Sequence, residues 1–168
     1  TRAVLTFVAR KPKVRYSHRV EEQMSEKKYN VDSFNLDHTK VTAPYVRLAA
    51  KKTGLKGDIV SKYDIRFCQP NKEFMQTGEI HTLEHLVAEY IRDEMPKNVI
   101  DFSPMGCRTG FYLTVWGDHE ERWIAERLVN VLKKVAVWDK EIPATTEQEC
   151  GNYRDHDLEG AKRWAQKW

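Results

Sequence analysis

The segment IHTLEHL, residues 80–86, places two histidines and a glutamate close together along the chain. If the segment is helical, His81 and His85 lie roughly 40° apart around the axis, so both imidazoles can reach one metal ion. Glu84 then lies at the edge of the apolar face, where a carboxylate is costly to desolvate unless it has a partner or a role. A general acid or base beside a metal ion would supply that role. The HxxEH spacing therefore favours a metal site, although an amphipathic helix with polar residues facing water is the ordinary alternative.

A catalytic metal site needs a third protein ligand and an open coordination position. Cys150 is the first candidate, because it precedes a glycine in the polar segment ECGNY, where a thiolate could approach an ion without burial. Cys107 lies in SPMGCRTG, where Arg108 could help hold a thiolate, and a small buried apolar residue is the alternative interpretation. His119 and His156 compete as ligands, but each is predicted to be a water-exposed residue at a helix start.

The composition limits the class of protein. With 168 residues, of which 40% are hydrophobic and 32% charged, the chain can form one compact core, and we predict one domain. The formal charge of +3 lacks the concentrated basic surface of nucleic-acid-binding proteins. No apolar run approaches the roughly 18 residues of a membrane helix, and no signal-peptide core is found, so we expect a soluble, cytoplasmic protein. Three cysteines argue against a disulfide framework, and Cys68, at the end of a predicted strand, is interpreted as structural.

Hydrophobic periodicity predicts an α+β fold, in which a largely antiparallel sheet packs against helices. Residues 1–23 are basic and aperiodic, and we interpret them as an N-terminal extension or disordered arm before a domain of residues 24–168. Four segments have the pattern of strands, in two hairpin-like pairs: 45–52 with 58–70, and 98–104 with 110–117. Three segments have helical patterns or boundaries: 77–95, 118–138 and 157–168.

Six motifs follow one another between residues 31 and 162: VDSFNLDHTKVTAPYVRLA, KYDIRFCQPN, IHTLEHL, IDFSPMGCRTGFYLTV, IPATTEQECG and HDLEGAK. In this order and spacing they resemble the S-ribosylhomocysteine lyase family, called LuxS. Such a chain of motifs is far more specific than HxxEH alone. The resemblance implies a homodimer with two active sites at the subunit interface. It also implies one metal ion per subunit, Fe²⁺ or, as further possibilities, Zn²⁺ or Co²⁺.

The resemblance assigns roles to individual residues. His81, His85 and Cys150 occupy the family's ligand positions, and Glu84 and Cys107 its two acid/base positions. Further residues match positions that shape or bind the substrate site: Ser33, His38, Lys62, Arg66 and Asp101. Ordinary alternatives exist for these as well: Lys62, Asp64 and Arg66 could form a solvated strand face, and Asp101 and Ser33 could be polar groups at turns or edges.

The implied reaction cleaves the thioether of S-ribosylhomocysteine to homocysteine and 4,5-dihydroxy-2,3-pentanedione, the precursor of autoinducer-2. The opened sugar carries its carbonyl too far from the sulfur for direct expulsion, so the carbonyl must first migrate before β-elimination. Each migration removes a proton next to a carbonyl and develops negative charge on an oxygen, which a divalent ion stabilises. A Cys107 thiolate and the Glu84 carboxylate suit these proton transfers.

Two other functions fit parts of the pattern. HxxEH also occurs in inverzincin metallopeptidases, in which the glutamate activates a metal-bound water; that chemistry gives no role to Cys107. A structural metal module is the third possibility, but such sites are normally closed by four protein ligands, and the sequence offers three convincing ones.

Overall fold

A computed structural model of the chain describes residues 28–168. This part is a single α+β domain, which confirms the predicted fold class. Its strands are β1 (Tyr45–Thr53), β2 (Ile59–Arg66), β3 (Val99–Pro104) and β4 (Gly110–Trp116). Its helices are α1 (Thr77–Glu94), α2 (Glu121–Ala136) and α3 (Leu158–Lys167), with a short 3-10 helix at Asp32–Asn35. The predicted extension of residues 1–23 lies outside the described residues.

The four strands form one antiparallel sheet in the order β1-β2-β4-β3. The two predicted hairpins are β1-β2 and β3-β4, and the sheet is completed where β2 pairs with β4. Gly57, in the first hairpin turn, has a φ of +88°, a conformation that glycine adopts without steric cost. Gly110 begins β4 so close to β2 that an added Cβ would lie 2.2 Å from the Ile65 carbonyl oxygen. A side chain there would separate the two central strands.

Helix α1 packs its apolar face against the sheet and the other helices. Of the apolar residues at this helical spacing, Ile80, Leu83, Leu86, Val87 and Ile91 are buried, and Tyr90 is half-buried. They join one core with the inward-facing residues of the sheet and of α2. The same packing leaves the polar edge of α1 half-buried, and this edge carries the histidines of HxxEH.

Glu79 fixes the C-terminal helix against the start of α1. Its carboxylate caps the helix by accepting the Gln76 backbone N–H at 2.7 Å, and it accepts the Trp164 indole N–H at 2.9 Å. Gly160 permits this approach, because a Cβ there would lie 2.5 Å from Cγ of Glu79. The segment just before α3 is thereby held beside the first turns of α1.

The alternative of a solvated strand face on β2 is wrong for two of its three residues. Lys62 is exposed, but Asp64 is fully buried and Arg66 is 1% exposed. The two form a buried ion pair with an Nη2–Oδ2 distance of 2.8 Å. Cys68 is also buried, in agreement with a structural role, and burial raises its pKa to about 11. Among the helices of residues 28–168, none has the length and apolar character to cross a membrane.

Candidate active site

Four side chains with metal-binding atoms converge at the polar edge of α1. They are His81 and His85 of α1, Cys150 of the preceding polar connection, and His156 just before α3. One donor atom from each lies within 4.8 Å of the other three, and His81 Nε2 is 3.4 Å from Cys150 Sγ. The structure therefore brings together the three ligands expected from the sequence and adds a fourth residue.

Two backbone carbonyls fix the tautomers of His81 and His85. Nδ1 of His81 donates to the Asp155 carbonyl at 2.9 Å, and Nδ1 of His85 donates to the Pro143 carbonyl at 2.8 Å. A carbonyl can only accept a hydrogen bond, so the ring proton must lie on Nδ1 in both residues. Each Nε2 then carries a free lone pair, which is the form that binds a metal ion.

Cys150 is presented by a turn of the backbone. Its N–H donates to the Thr146 carbonyl at 3.0 Å, and its sulfur receives the Asn152 backbone N–H at 3.5 Å. Two imidazole nitrogens and one cysteine sulfur within 4.8 Å of one another fit a divalent ion such as iron(II), cobalt(II) or zinc.

His156 is not the water-exposed residue that the sequence predicts. It is half-buried, its ring stacks on His81 with centroids 4.1 Å apart, and it meets the edge of His85 at 4.8 Å. Burial, followed by the neighbouring His81 and His85, lowers the pKa of His156 to about 4. The prediction failed because Glu79 and Gly160 hold the start of α3 against α1. His119, the other competitor, lies away from this cluster and stacks on Trp123.

Glu84 lies next to His85 on α1 and is half-buried. The Glu84 carboxylate makes no hydrogen bond or ion pair with another residue of the described range 28–168. A partly desolvated carboxylate without a fixed partner can accept and release protons. Glu84 thus lies beside His85 on α1, and the acid/base role expected from the sequence stays a prediction.

Cys107 is carried by the tight loop between β3 and β4, and it is exposed, which contradicts the alternative of a small buried residue. Its sulfur lies 3.1 Å from the Thr109 hydroxyl oxygen, which accepts a hydrogen bond from Arg66 Nη1 at 2.7 Å. The Arg108 guanidinium, expected to help the thiol, lies over the Phe74 ring at 4.6 Å. A guanidinium thus reaches the thiol indirectly, through Thr109.

The buried Arg66 is held as a cation by Asp64. Burial alone would lower its pKa, but the hydrogen bonds to Asp64 and the carboxylate charge raise the pKa of Arg66 overall. Because a guanidinium can only donate hydrogen bonds, Thr109 must direct its own proton away from Arg66. In the described chain, the remaining partner of that hydroxyl is the Cys107 sulfur. The Thr109 hydroxyl can therefore donate its proton to the Cys107 sulfur.

Comparison with known proteins identifies the family. The family model described as S-Ribosylhomocysteinase (LuxS) matches residues 31–168, which is most of the chain. The chain belongs to this family. An S-ribosylhomocysteine lyase of Thermus thermophilus is 58% identical over 137 residues, or 82% of this chain and 87% of the relative. Proteins of the same name from Deinococcus radiodurans and Bifidobacterium longum are 55% and 50% identical, over 81% and 87% of this chain and 85% and 89% of their own lengths.

The expected LuxS substrate residues lie in two parts of the sheet region. Ser33 and Lys62 line one pocket, where Lys62 Nζ lies 3.9 Å from the centroid of the Tyr112 ring. Lys62 and Asp101 flank Thr114 of β4 in the strand register, and Asp101 accepts the Ser103 hydroxyl at 2.7 Å. His38 is half-buried, and its Nδ1 lies 2.9 Å from the Leu36 carbonyl. Arg66 belongs with Thr109 and Cys107 to a second group of linked side chains, called the Cys107 group.

Sequence reasoning missed Thr109 and undervalued His156. Thr109 lies two residues from Cys107 in the loop between β3 and β4, outside both strands, so strand alternation gives no signal for their contact. His156 lies in RDHDLEG, whose histidine precedes an Asp N-cap and so enters the helix-start region. The contact between this segment and α1, far apart in the sequence, is tertiary and has no local signal.

Proposed function

We propose that this LuxS protein is a metal-dependent S-ribosylhomocysteine lyase that releases homocysteine and 4,5-dihydroxy-2,3-pentanedione, the autoinducer-2 precursor. The observation that carries the proposal is the His81, His85 and Cys150 donor set, which lies beside the half-buried carboxylate of Glu84. Family membership and relatives named S-ribosylhomocysteine lyase at 50–58% identity support it. The proposed lyase domain comprises residues 24–168.

His81, His85 and Cys150 would hold one metal ion per subunit, with Fe²⁺ as the first candidate and Zn²⁺ or Co²⁺ as alternatives. When bound, such an ion acts as a Lewis acid that stabilises negative charge on a substrate oxygen. The backbone carbonyls of Asp155 and Pro143 keep both imidazoles oriented, so the protein organises this donor set before the substrate arrives.

Cys107 and Glu84 perform the proton transfers in this proposal. The Cys107 thiolate, supported by Thr109 and Arg66, removes a proton next to the substrate carbonyl and returns it to the neighbouring carbon. Glu84 exchanges protons with the substrate hydroxyls. After the carbonyl has migrated to two carbons from the sulfur, loss of the intervening proton expels homocysteine thiolate by β-elimination. Protons and electrons balance without a redox cofactor.

The proposed assembly is a homodimer with active sites at the subunit interface. Exposed aromatic side chains flank the expected site residues, which supports an interface there. Phe34, next to Ser33, is 64% exposed, and Phe74, which packs under Arg108 beside the Cys107 loop, is 52% exposed. Exposed apolar rings contribute to an interaction site when they belong to a contiguous apolar patch. The proposal places Ser33, His38, Lys62, Arg66 and Asp101 around the substrate.

The metallopeptidase and the structural metal module are less favoured. Peptidase chemistry uses the metal and the glutamate but leaves the Cys107, Thr109 and Arg66 arrangement without a role. A structural site would need four protein ligands, and His156 is the residue that could supply the fourth. The contact of His156 Nδ1 with the Thr82 hydroxyl, at 3.1 Å, argues against that use.

Thiol release tests the lyase. The protein is purified without oxygen, loaded with iron(II) and mixed with S-ribosylhomocysteine, and homocysteine is detected with a chromogenic thiol reagent after correction for the protein's cysteines. We expect release by the wild type, and loss of release with retained metal in Glu84→Gln. A folded, metal-loaded dimer that releases no thiol would overturn the proposed function, and unchanged turnover of Glu84→Gln would remove Glu84 from it.

A further inference from the structure

The three imidazoles of the cluster differ in the partner of Nδ1. His81 and His85 face backbone carbonyls, whereas Nδ1 of His156 lies 3.1 Å from the Thr82 hydroxyl oxygen. A carbonyl can only accept a hydrogen bond, but a hydroxyl can also donate one. The position of the ring proton on His156 therefore depends on what the Thr82 hydroxyl does.

The Thr82 oxygen already accepts a hydrogen bond. The backbone N–H of Asp157 donates to it at 2.9 Å, so its own proton is free for an acceptor. Within residues 28–168, the acceptor in contact with this hydroxyl is Nδ1 of His156. Thr82 is fully buried, so water is excluded as a competing partner. We conclude that Thr82 donates to Nδ1.

This bond fixes the tautomer of His156 opposite to that of the other two rings. If Nδ1 accepts a hydrogen bond, the ring is neutral and its proton lies on Nε2. Nε2 is buried and has no hydrogen-bond partner among the described residues. Because Nδ1 is engaged by Thr82, Nε2 is the atom that His156 offers to the cluster. A protonated Nε2 has no lone pair for a metal ion, but it is a good hydrogen-bond donor.

We propose that His156 is a catalytic residue, whose Nε2–H donates a hydrogen bond to the substrate oxygen that enters the cluster of His81, His85 and Cys150. A metal ion held by His81, His85 and Cys150 would have an open position for the substrate, and His156 would supply a hydrogen-bond donor there without acting as a ligand. The donor stabilises the negative charge that develops on a sugar oxygen during carbonyl migration, in the manner of an oxyanion hole. Thr82 is the positioning residue that keeps the proton on Nε2. This role rests on the proposed lyase activity, whereas the location of the proton does not.

Nitrogen NMR tests the tautomers directly and without substrate. Long-range proton–nitrogen spectra of zinc-loaded protein labelled with ¹⁵N-histidine distinguish protonated from unprotonated ring nitrogens. We expect the proton on Nε2 of His156 and on Nδ1 of His81 and His85, which serve as internal references. In Thr82→Val the proton of His156 should move toward Nδ1, and Thr82→Ser should restore it to Nε2. A proton on Nδ1 of His156 in the wild type would overturn the proposal.

Zinc affinity separates a donor from a fourth ligand. His156→Ala should bind zinc within about 100-fold of the wild type in competition with a coloured chelator, since loss of an outer partner of a metal site typically costs 10- to 100-fold. His81→Ala, the matched control, should lose far more. Equal losses in the two variants would make His156 a ligand and overturn the proposal.

Turnover by iron-loaded protein completes the test. His156→Ala should lower kcat about 100-fold or more, as loss of one oxyanion donor does. His156→Gln, whose amide N–H can take the place of Nε2–H, should recover part of that loss. Unchanged kcat in His156→Ala would overturn the catalytic role. Failure of the wild type to release thiol would instead overturn the proposed function, and the nitrogen spectra would still decide the location of the proton.

Discussion

The metal-binding cluster and the Cys107 group are built in opposite ways. The cluster collects His81, His85, Cys150 and His156 from α1 and from two later segments, and all four are half-buried. The Cys107 group lies on the sheet, where a buried arginine reaches an exposed thiol through one hydroxyl. In residues 28–168, the hydrogen bonds, ion pairs and ring contacts do not connect the two groups.

This difference indicates what each group can do within one chain. The cluster forms within one chain, and two of its imidazoles are oriented by carbonyls of that same chain. The Cys107 sulfur contacts the Thr109 hydroxyl, which is buried, while Cys107 itself is exposed on the surface of the chain. The comparison therefore predicts that loss of His81, His85 or Cys150 abolishes metal binding, and that changes in the Cys107 group affect turnover alone.

Loss of a metal ligand should have the largest effect. In Cys150→Ala the thiolate is absent, so metal affinity should fall by more than the roughly 10- to 100-fold that loss of an outer partner costs, and turnover should disappear with it. Metal content after gel filtration and thiol release measure the two effects. Cys68→Ala, which removes a buried thiol of the core, is the matched control and should retain both. A fully metal-loaded Cys150→Ala protein would remove Cys150 from the ligand set.

Cys107→Ala should have the second largest effect and should separate the two groups most clearly. Loss of a proton-transferring side chain typically lowers a rate about 10²- to 10⁴-fold, and metal content should remain that of the wild type. Thiol release and metal analysis of the same sample provide the measurement. If turnover is unchanged, Cys107 has no role in proton transfer; if metal is lost as well, the two groups are not separate.

The sequence predicts the two groups unequally, because it encodes local spacing better than tertiary contact. Helical spacing alone predicts that His81, Glu84 and His85 lie close together. Their helix lies where the periodicity predicts it. The orientation of the imidazoles depends on the carbonyls of Pro143 and Asp155, which lie 58 and 74 residues farther along the chain. No local pattern contains that information.

The same limit explains the errors around the thiol. Strand alternation put Lys62, Asp64 and Arg66 on one face of β2 but did not show which of them the fold buries. Arg66 and Thr109 lie 43 residues apart in the chain, so no local pattern predicts their contact. The sequence instead suggested that the neighbouring Arg108 helps the thiol, but Arg108 lies over Phe74. Cys150 could be proposed as a ligand from its own loop, which contains a glycine and polar residues. The roles of Cys107 and Ser33 were predicted from the resemblance of their motifs to the family.

Thr109→Val tests how the buried arginine acts on the thiol, with a smaller expected effect. Valine has nearly the shape of threonine but no hydroxyl, so the Cys107 sulfur loses its donor and Arg66 loses an acceptor. We expect a fall of about 10-fold in both turnover and the alkylation rate of Cys107 by iodoacetamide, comparable to one hydrogen bond. Thr109→Ser should recover most of both rates. Equal alkylation rates in Thr109→Val and the wild type would show that the hydroxyl does not stabilise the thiolate.

Hybrid dimers give the sharpest test of the comparison, although the expected departure from wild-type turnover is the smallest. If each active site combines the cluster of one subunit with the Cys107 group of its partner, a dimer of Cys107→Ala and Cys150→Ala subunits retains one intact site. Random pairing of equal amounts makes half of the dimers hybrid, so turnover should recover to about one quarter of the wild-type value.

The control for this experiment pairs Cys150→Ala with His85→Ala. Both changes lie in the cluster, so each hybrid site lacks one metal ligand and turnover should stay at the level of the separate variants. Native mass spectrometry verifies that hybrids form in both mixtures. Hybrids of Cys107→Ala and Cys150→Ala without recovery would mean that the cluster and the thiol of the same chain act together. In that case the exposed side of Cys107 would face the cluster of its own subunit, and the aromatic side chains beside it would need another explanation.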